Sequence, residues 1–141
     1  MIYVFDASFI GALIIPDENN MPVRKLYDRI ENEDERQAPH LLWYEMTNLF
    51  MNLLRRKRYN ENEVLSFYPL LEEFRLVVDS ETGIEYSKRL LRLCSNYNLS
   101  SYDAAYLELA ERKRAVLCTL DERLRSAAKK HGVAVLKQGK A

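Results

Sequence analysis

Ile2-Tyr3-Val4-Phe5-Asp6-Ala7-Ser8 sets the reading of everything that follows it. Four β-prone apolar residues in a row predict a strand buried on both faces, and the acid that ends them is hard to explain as a solvated charge. Ala115 to Thr119 predicts another strand, then a helix over Asp121 to His131 ended by Gly132, and a closing strand over Val133 to Leu136. Between these ends, Gln37-Ala38-Pro39 closes a short strand and Leu76-Val77-Val78 is a further strand candidate.

Helical spacing fills the gaps. Phe9 to Ile15 predicts a short helix stopped by Pro16, and Val23, Leu26, Tyr27 and Ile30 mark one face of a second. Leu41 to Leu54 carries Leu42, Met46, Leu49, Phe50 and Leu53 on one stripe. Asn60 and Glu63 resemble a capping box opening a helix through about Glu72, which Pro69 kinks or ends early. Glu81 to Tyr97 is helical, as is Tyr102 to about Arg112, capped by Ser100 or Ser101. Strands that alternate with helices in this way predict an α/β fold. The expectation is a single domain over residues 1–141, with a central parallel sheet of about five strands and helices on both faces.

The bulk properties agree with one compact core. The chain has 141 residues, 48% hydrophobic and 30% charged, with only 4 Gly and 4 Pro, which excludes a disordered or linker-rich chain. Lys+Arg and Asp+Glu are 21 each, so bulk positive charge cannot be what holds a nucleic acid. The longest strongly apolar run, Phe9 to Ile15, is far short of a membrane span, and no basic segment precedes an apolar run as in a secretory signal. Cys94 and Cys118 lack metal-ligand spacing and read as buried reduced thiols, which fits a cytoplasmic protein.

In open parallel sheets, sites form at the carboxyl ends of the strands. That rule selects Asp6 after the first strand, Asp121 after the fourth, Asp103 in the first turn of the helix feeding the fourth, and Glu45 in the first turns of the helix after Pro39. Each alone has a plainer reading: Asp121 as a helix cap, Asp103 as a favourable first-turn charge. Brought to one edge, four carboxylates would repel one another, and a divalent cation removes that cost. An all-oxygen set suits Mg²⁺ or Mn²⁺. Asp79, after the third strand, is an acid given no catalytic role. No phosphate loop and no G-x-G-x-x-G occurs, His40 and His131 show no metal spacing, and Ser8 and Ser101 have no His placed for a triad. A receiver-like signalling domain shares the layout, but it normally carries adjacent acids after its first strand, where Asp6 here stands alone.

Four segments then resemble a known family. Val4-Phe5-Asp6-Ala7-Ser8, Ala38-Pro39-His40-Leu41-Leu42-Trp43-Tyr44-Glu45-Met46-Thr47-Asn48, Ser101-Tyr102-Asp103-Ala104-Ala105-Tyr106-Leu107-Glu108-Leu109-Ala110 and Thr119-Leu120-Asp121-Glu122-Arg123-Leu124 are similar, in order, to the acid-bearing segments of the PIN-domain ribonucleases, and most closely to the VapC-type toxins of toxin–antitoxin pairs. The resemblance implies that Asp6, Glu45, Asp103 and Asp121 form a quartet binding Mg²⁺ or Mn²⁺, with Ser8 and Thr119 as accessory hydroxyls. It further implies hydrolysis of RNA phosphodiesters, a small antitoxin covering the site, and a homodimer. A PIN-like module that binds RNA or protein without cutting is the alternative. Arg55-Arg56-Lys57-Arg58 and Arg112-Lys113-Arg114 are candidate RNA-facing clusters, although helix-end charge explains them equally well. Trp43 and Tyr44, beside Glu45, are candidate stacking residues.

Overall fold

A computed structural model of the chain describes residues 1–16 and 20–137. Four strands, β1 (Ile2–Phe5), β2 (Glu35–Pro39), β3 (Val77–Asp79) and β4 (Val116–Cys118), form one sheet in the order β3-β2-β1-β4. Every pairing is parallel: Val4 lies opposite Gln37 and Leu117, and Ala38 opposite Val78. The closing segment joins as a bridge rather than a full strand. Leu117 N–H donates to Ala134 at 2.8 Å and Leu136 N–H to Leu117 at 2.9 Å, around a parallel bridge between Leu117 and Val135.

Eight helices connect these strands among the described residues: α1 (Ala7–Ile14), α2 (Met21–Tyr27), α3 (Leu42–Arg55), α4 (Glu61–Leu65), α5 (Tyr68–Glu73), α6 (Ile84–Tyr97), α7 (Ser101–Lys113) and α8 (Glu122–Lys130). The segment read as one helix from Asn60 to Glu72 is two. The Asn60–Glu63 capping box opens α4, with reciprocal bonds of 2.8 and 3.0 Å. Pro69 then sits in the first turn of α5, where its missing N–H costs nothing. The helix expected from Glu81 starts later, because Gly83 at φ 101° turns the chain into it. Of the two serines proposed to cap the next helix, Ser100 does so, accepting from Asp103 N–H at 3.2 Å.

Phe5 points toward α1, α2 and the end of α5. Its ring meets Phe9 edge-on at 5.0 Å and Phe74 at 5.8 Å, and Phe74 in turn meets Tyr27 at 5.5 Å. Burying a ring of this size stabilises by about 2–3 kcal/mol relative to exposure. α7 packs on β1, β2, β4 and α6. It is buried almost all round, from Ala104 to Ala110, and this run includes Glu108 at 3% exposure. A helix so enclosed holds its first turn, and hence Asp103, in a fixed place over the sheet.

Candidate active site

Parallel pairing of Phe5 with Cys118 puts the ends of β1 and β4 side by side, and Asp6 N–H donates to the Cys118 carbonyl at 3.2 Å. Asp6 is the N-cap of α1, 5% exposed, with both carboxylate oxygens engaged. One accepts from Phe9 N–H at 2.9 Å and from the Ser8 hydroxyl at 2.7 Å; the other accepts from the Thr119 hydroxyl. Ser8 and Thr119 also accept, from Leu120 N–H and Asp121 N–H, each at 3.0 Å. Two hydroxyls thus lock the opening turn of α1 to the segment after β4, across more than a hundred residues of chain.

Asp121 caps α8, accepting from Leu124 N–H at 3.0 Å, so the plain reading of this residue as a cap describes what it does locally. Asp103 lies in the first turn of α7, beside the Ser100 cap. Glu45 lies in the first turn of α3 and accepts from the Tyr106 hydroxyl at 2.6 Å.

Electrostatics ties these acids together. Burial raises Asp6 above the usual carboxylate range, and the charge of Asp103 adds to this, against the lowering effect of the Thr119, Ser8 and Phe9 bonds. Burial also raises Glu45, with Asp6 and Asp103 reinforcing the shift and the Tyr106 bond opposing it. Asp103 rises through burial and the charge of Asp121, opposed by Ser100 and by the nearby Arg123. Asp6, Glu45 and Asp103 therefore each feel at least one other acid of the set. Among the described residues, none of the four is in an ion pair with Lys or Arg.

Such a set, all oxygen and among the described residues in no ion pair with Lys or Arg, fits a hard divalent ion in charge and donor type. Among the described residues no three His, Cys, Asp or Glu side chains stand as a ready-made cage.

The raised values give a stability expectation with a definite sign. An acid whose folded-state pKa is raised stabilises the fold below its ordinary value, near pH 4, and that contribution disappears as pH climbs through the raised value. In EDTA, Asp103→Asn should therefore melt increasingly above the wild type as pH rises from the ordinary carboxylate range through the raised value of Asp103. A melting difference that does not grow with pH would mean that neither burial nor Asp121 raises Asp103.

Tyr106 and Arg123 were not selected from sequence. Tyr106 lies three residues after Asp103 on one helix, a spacing that puts the two side chains on neighbouring faces and was the available signal. Of the candidate cluster Arg112-Lys113-Arg114, Arg112 is turned to another use. Arg112 donates to both oxygens of Asp79, at 3.1 and 2.6 Å, and to Glu108 at 2.9 Å, so it serves an internal ion network. Arg56 and Arg58 of the other cluster line a groove of about 310 Å³ with Ser8, Asn52 and Leu120, next to Asp6. His131 bridges the Tyr97 hydroxyl and Glu111, each at 2.7 Å, away from the acids.

Comparison with known proteins agrees with this layout. The family model for the PIN domain matches residues 3–130. Ribonuclease VapC3 of Pyrobaculum aerophilum is 31% identical over 124 residues, covering 88% of this chain and 92% of that protein. Among solved structures, FitAcB from Neisseria gonorrhoeae superposes with a TM-score of 0.68 at 18% identity, covering 97% of each chain. The sarcin-ricin loop cleaving toxin VapC20 of Mycobacterium tuberculosis does so with a TM-score of 0.66 at 14% identity, covering 90% of this chain and 95% of that one. At those identities the superpositions speak for the fold alone. The family match over nearly the whole length, together with the relative at 31% identity, shows that this chain belongs to the PIN domain family.

Proposed function

We propose that the protein is an endoribonuclease dependent on Mg²⁺ or Mn²⁺ that hydrolyses RNA phosphodiester bonds as the toxin of a type II toxin–antitoxin pair. The observation that carries this reading is the gathering of buried Asp6 and half-buried Glu45 and Asp103, near enough that Asp6 and Glu45 both feel the charge of Asp103, with none of the three ion-paired to Lys or Arg among the described residues. The relative named Ribonuclease VapC3 supports the same chemistry.

In this reading Asp6 and Asp103 are the principal ligands, and Glu45 and Asp121 complete the set. Ser8 and Thr119 hold the Asp6 carboxylate in one orientation. A bound divalent ion supplies charge neutralisation for an incoming phosphate and acidifies water. The chain contributes fixed geometry, and a carboxylate of the set beside the ion is suited to accepting the proton of the attacking water. The Tyr106 hydroxyl keeps Glu45 turned toward that position. A receiver-like role is disfavoured, because Asp6 stands alone at the end of β1 with no adjacent acid.

The groove beside Asp6, with Arg56 and Arg58 in its wall, is where a small antitoxin would reach the acids. A homodimer and a cytoplasmic location belong to the same proposal.

Metal binding to the native state alone should raise its melting temperature by mass action. Saturating Mn²⁺ at a hundred times its Kd would add about 2.7 kcal/mol. The shift should be clear in the wild type and much smaller in Asp6→Asn, and equal shifts would locate the relevant ion elsewhere. RNA cleavage that persists after exhaustive chelation would overturn the metal-dependent reading.

A further inference from the structure

A cavity of about 290 Å³ opens beside the acid cluster, between the end of β2 and the helical pair α6–α7. Pro39 and His40 form one wall, Tyr86 and Leu90 a second, and Tyr102 and Ala105 a third. Chain connectivity ties it to two of the four acids. Tyr102 immediately precedes Asp103, and Leu41, which also lines the cavity, lies one turn before Glu45 and accepts from its N–H at 3.1 Å.

The aromatic surface continues outward. His40 meets Tyr44 edge-on at 5.9 Å, and Tyr44, 66% exposed, immediately precedes Glu45. Each of these acids is thus preceded by an exposed tyrosine, with Tyr102 at 63%. Two large rings left in water at the lip of a cavity give up burial they could have had elsewhere, which marks a surface that is covered when something binds.

Charge in the cavity is already balanced. Asp79 and Glu81 line it, but Asp79 is paired with Arg112 at 2.6 Å and Glu81 with Arg89 at 3.4 Å, so the wall does not repel an anionic chain. The volume is at the small end of ligand pockets, which run from about 300 to 1,000 Å³, and suits one planar ring system.

We propose that this cavity receives one unstacked nucleobase of an RNA strand, stacked on Tyr102 and Tyr86, and so fixes which phosphate reaches the carboxylates. The proposal rests on the ribonuclease reading and deepens it: sequence-selective RNA recognition takes splayed bases onto aromatic side chains. Tyr102 and Tyr86 are then specificity determinants, and the acids do the chemistry.

The test uses a fluorescein-labelled pool of random eight-nucleotide single-stranded RNAs, with anisotropy measured in calcium buffer. Tyr102→Ala and Tyr86→Ala should each weaken binding about tenfold, which corresponds to ~1.4 kcal/mol and falls within the ~1–3 kcal/mol of base stacking on an aromatic ring. Tyr102→Phe should bind like the wild type. On a pool made of abasic nucleotides, the wild type and Tyr102→Ala should bind equally. In cleavage with Mn²⁺, the alanine variants should show raised KM with kcat little changed.

Wild-type affinity in both alanine variants, an equal loss on abasic RNA, or no binding of the pool by the wild type would each overturn the base pocket. So would a Tyr102→Ala protein that loses a protein partner but keeps RNA. The two readings fail separately: tyrosine-dependent binding without cleavage in any divalent ion removes the nuclease and keeps the pocket, whereas cleavage insensitive to both tyrosines does the reverse.

Discussion

Replacing Asp103 with Asn should lower RNA cleavage on the order of 100- to 1,000-fold, the range seen when one group that stabilises transition-state charge is lost. The substitution keeps the size of the side chain, and the Ser100 cap of α7 survives because it bonds the Asp103 backbone N–H. What disappears is one negative charge in a cluster where Asp6 and Glu45 both feel it. Stability in metal-free buffer should hold or rise, so lost activity cannot be put down to unfolding. Growth arrest on expression without the antitoxin should disappear in parallel. Asp79→Asn is a poor control, since Asp79 is ion-paired to Arg112. Glu85→Gln is better, its carboxylate being exposed and, among the described residues, paired only with Lys88 at 3.3 Å. If purified Asp103→Asn cuts RNA as fast as the wild type, Asp103 is not a ligand that the chemistry needs; a wild type that binds RNA and cuts none in any divalent ion would put the non-cleaving module in the enzyme's place.

The largest loss of stability is expected from Arg112→Ala. Its guanidinium spans Glu108 and Asp79, which together hold it charged well beyond its ordinary range despite partial burial. Glu108 is 3% exposed, and without Arg112 its nearest cation is Arg89 at 3.6 Å. Removing one partner of a buried pair strands the other charge, a cost of about 3–5 kcal/mol. In a chain of this size that corresponds to a fall in Tm of roughly 10 °C. Thermal and urea melts would measure it. Arg112→Lys should recover only part, because a point charge cannot replace the two-sided fork. A melting point within about 2 °C of the wild type would show that Glu108 finds compensation elsewhere.

How much of this was readable beforehand depends on the range of the interactions. β1, the acid that ends it and the parallel order follow from local patterning, since an apolar run closed by a charge has few other uses. The caps at Asn60, Ser100 and Asp121 are local as well, being bonds from i to i+3. The Tyr106–Glu45 bond joins residues 61 apart and the Asp79–Arg112 pair residues 33 apart, and composition cannot announce which partners meet. Glu108 left a trace that periodicity alone passed over: a carboxylate four residues before Arg112, amid neighbours that are all small or apolar. The closing strand shrank to a bridge at Val135 because an edge segment needs little pairing once its apolar side chains, Val133 and Leu136, are buried.

The two hydroxyl clasps, Thr119 to Asp6 and Leu120 to Ser8, bear on the order in which the protein comes into being. A chain made from its N-terminus carries Asp6 more than a hundred residues before Thr119 is added, yet that carboxylate has its full set of donors only after residues 119–121 have emerged and β4 has docked beside β1. The acid cluster is therefore assembled only after the segment that follows β4 is in place. A chain made only part of the way to that segment has no competent centre, so a protein that cuts RNA in this way would be harmless to the ribosome making it until residues 119–121 have emerged.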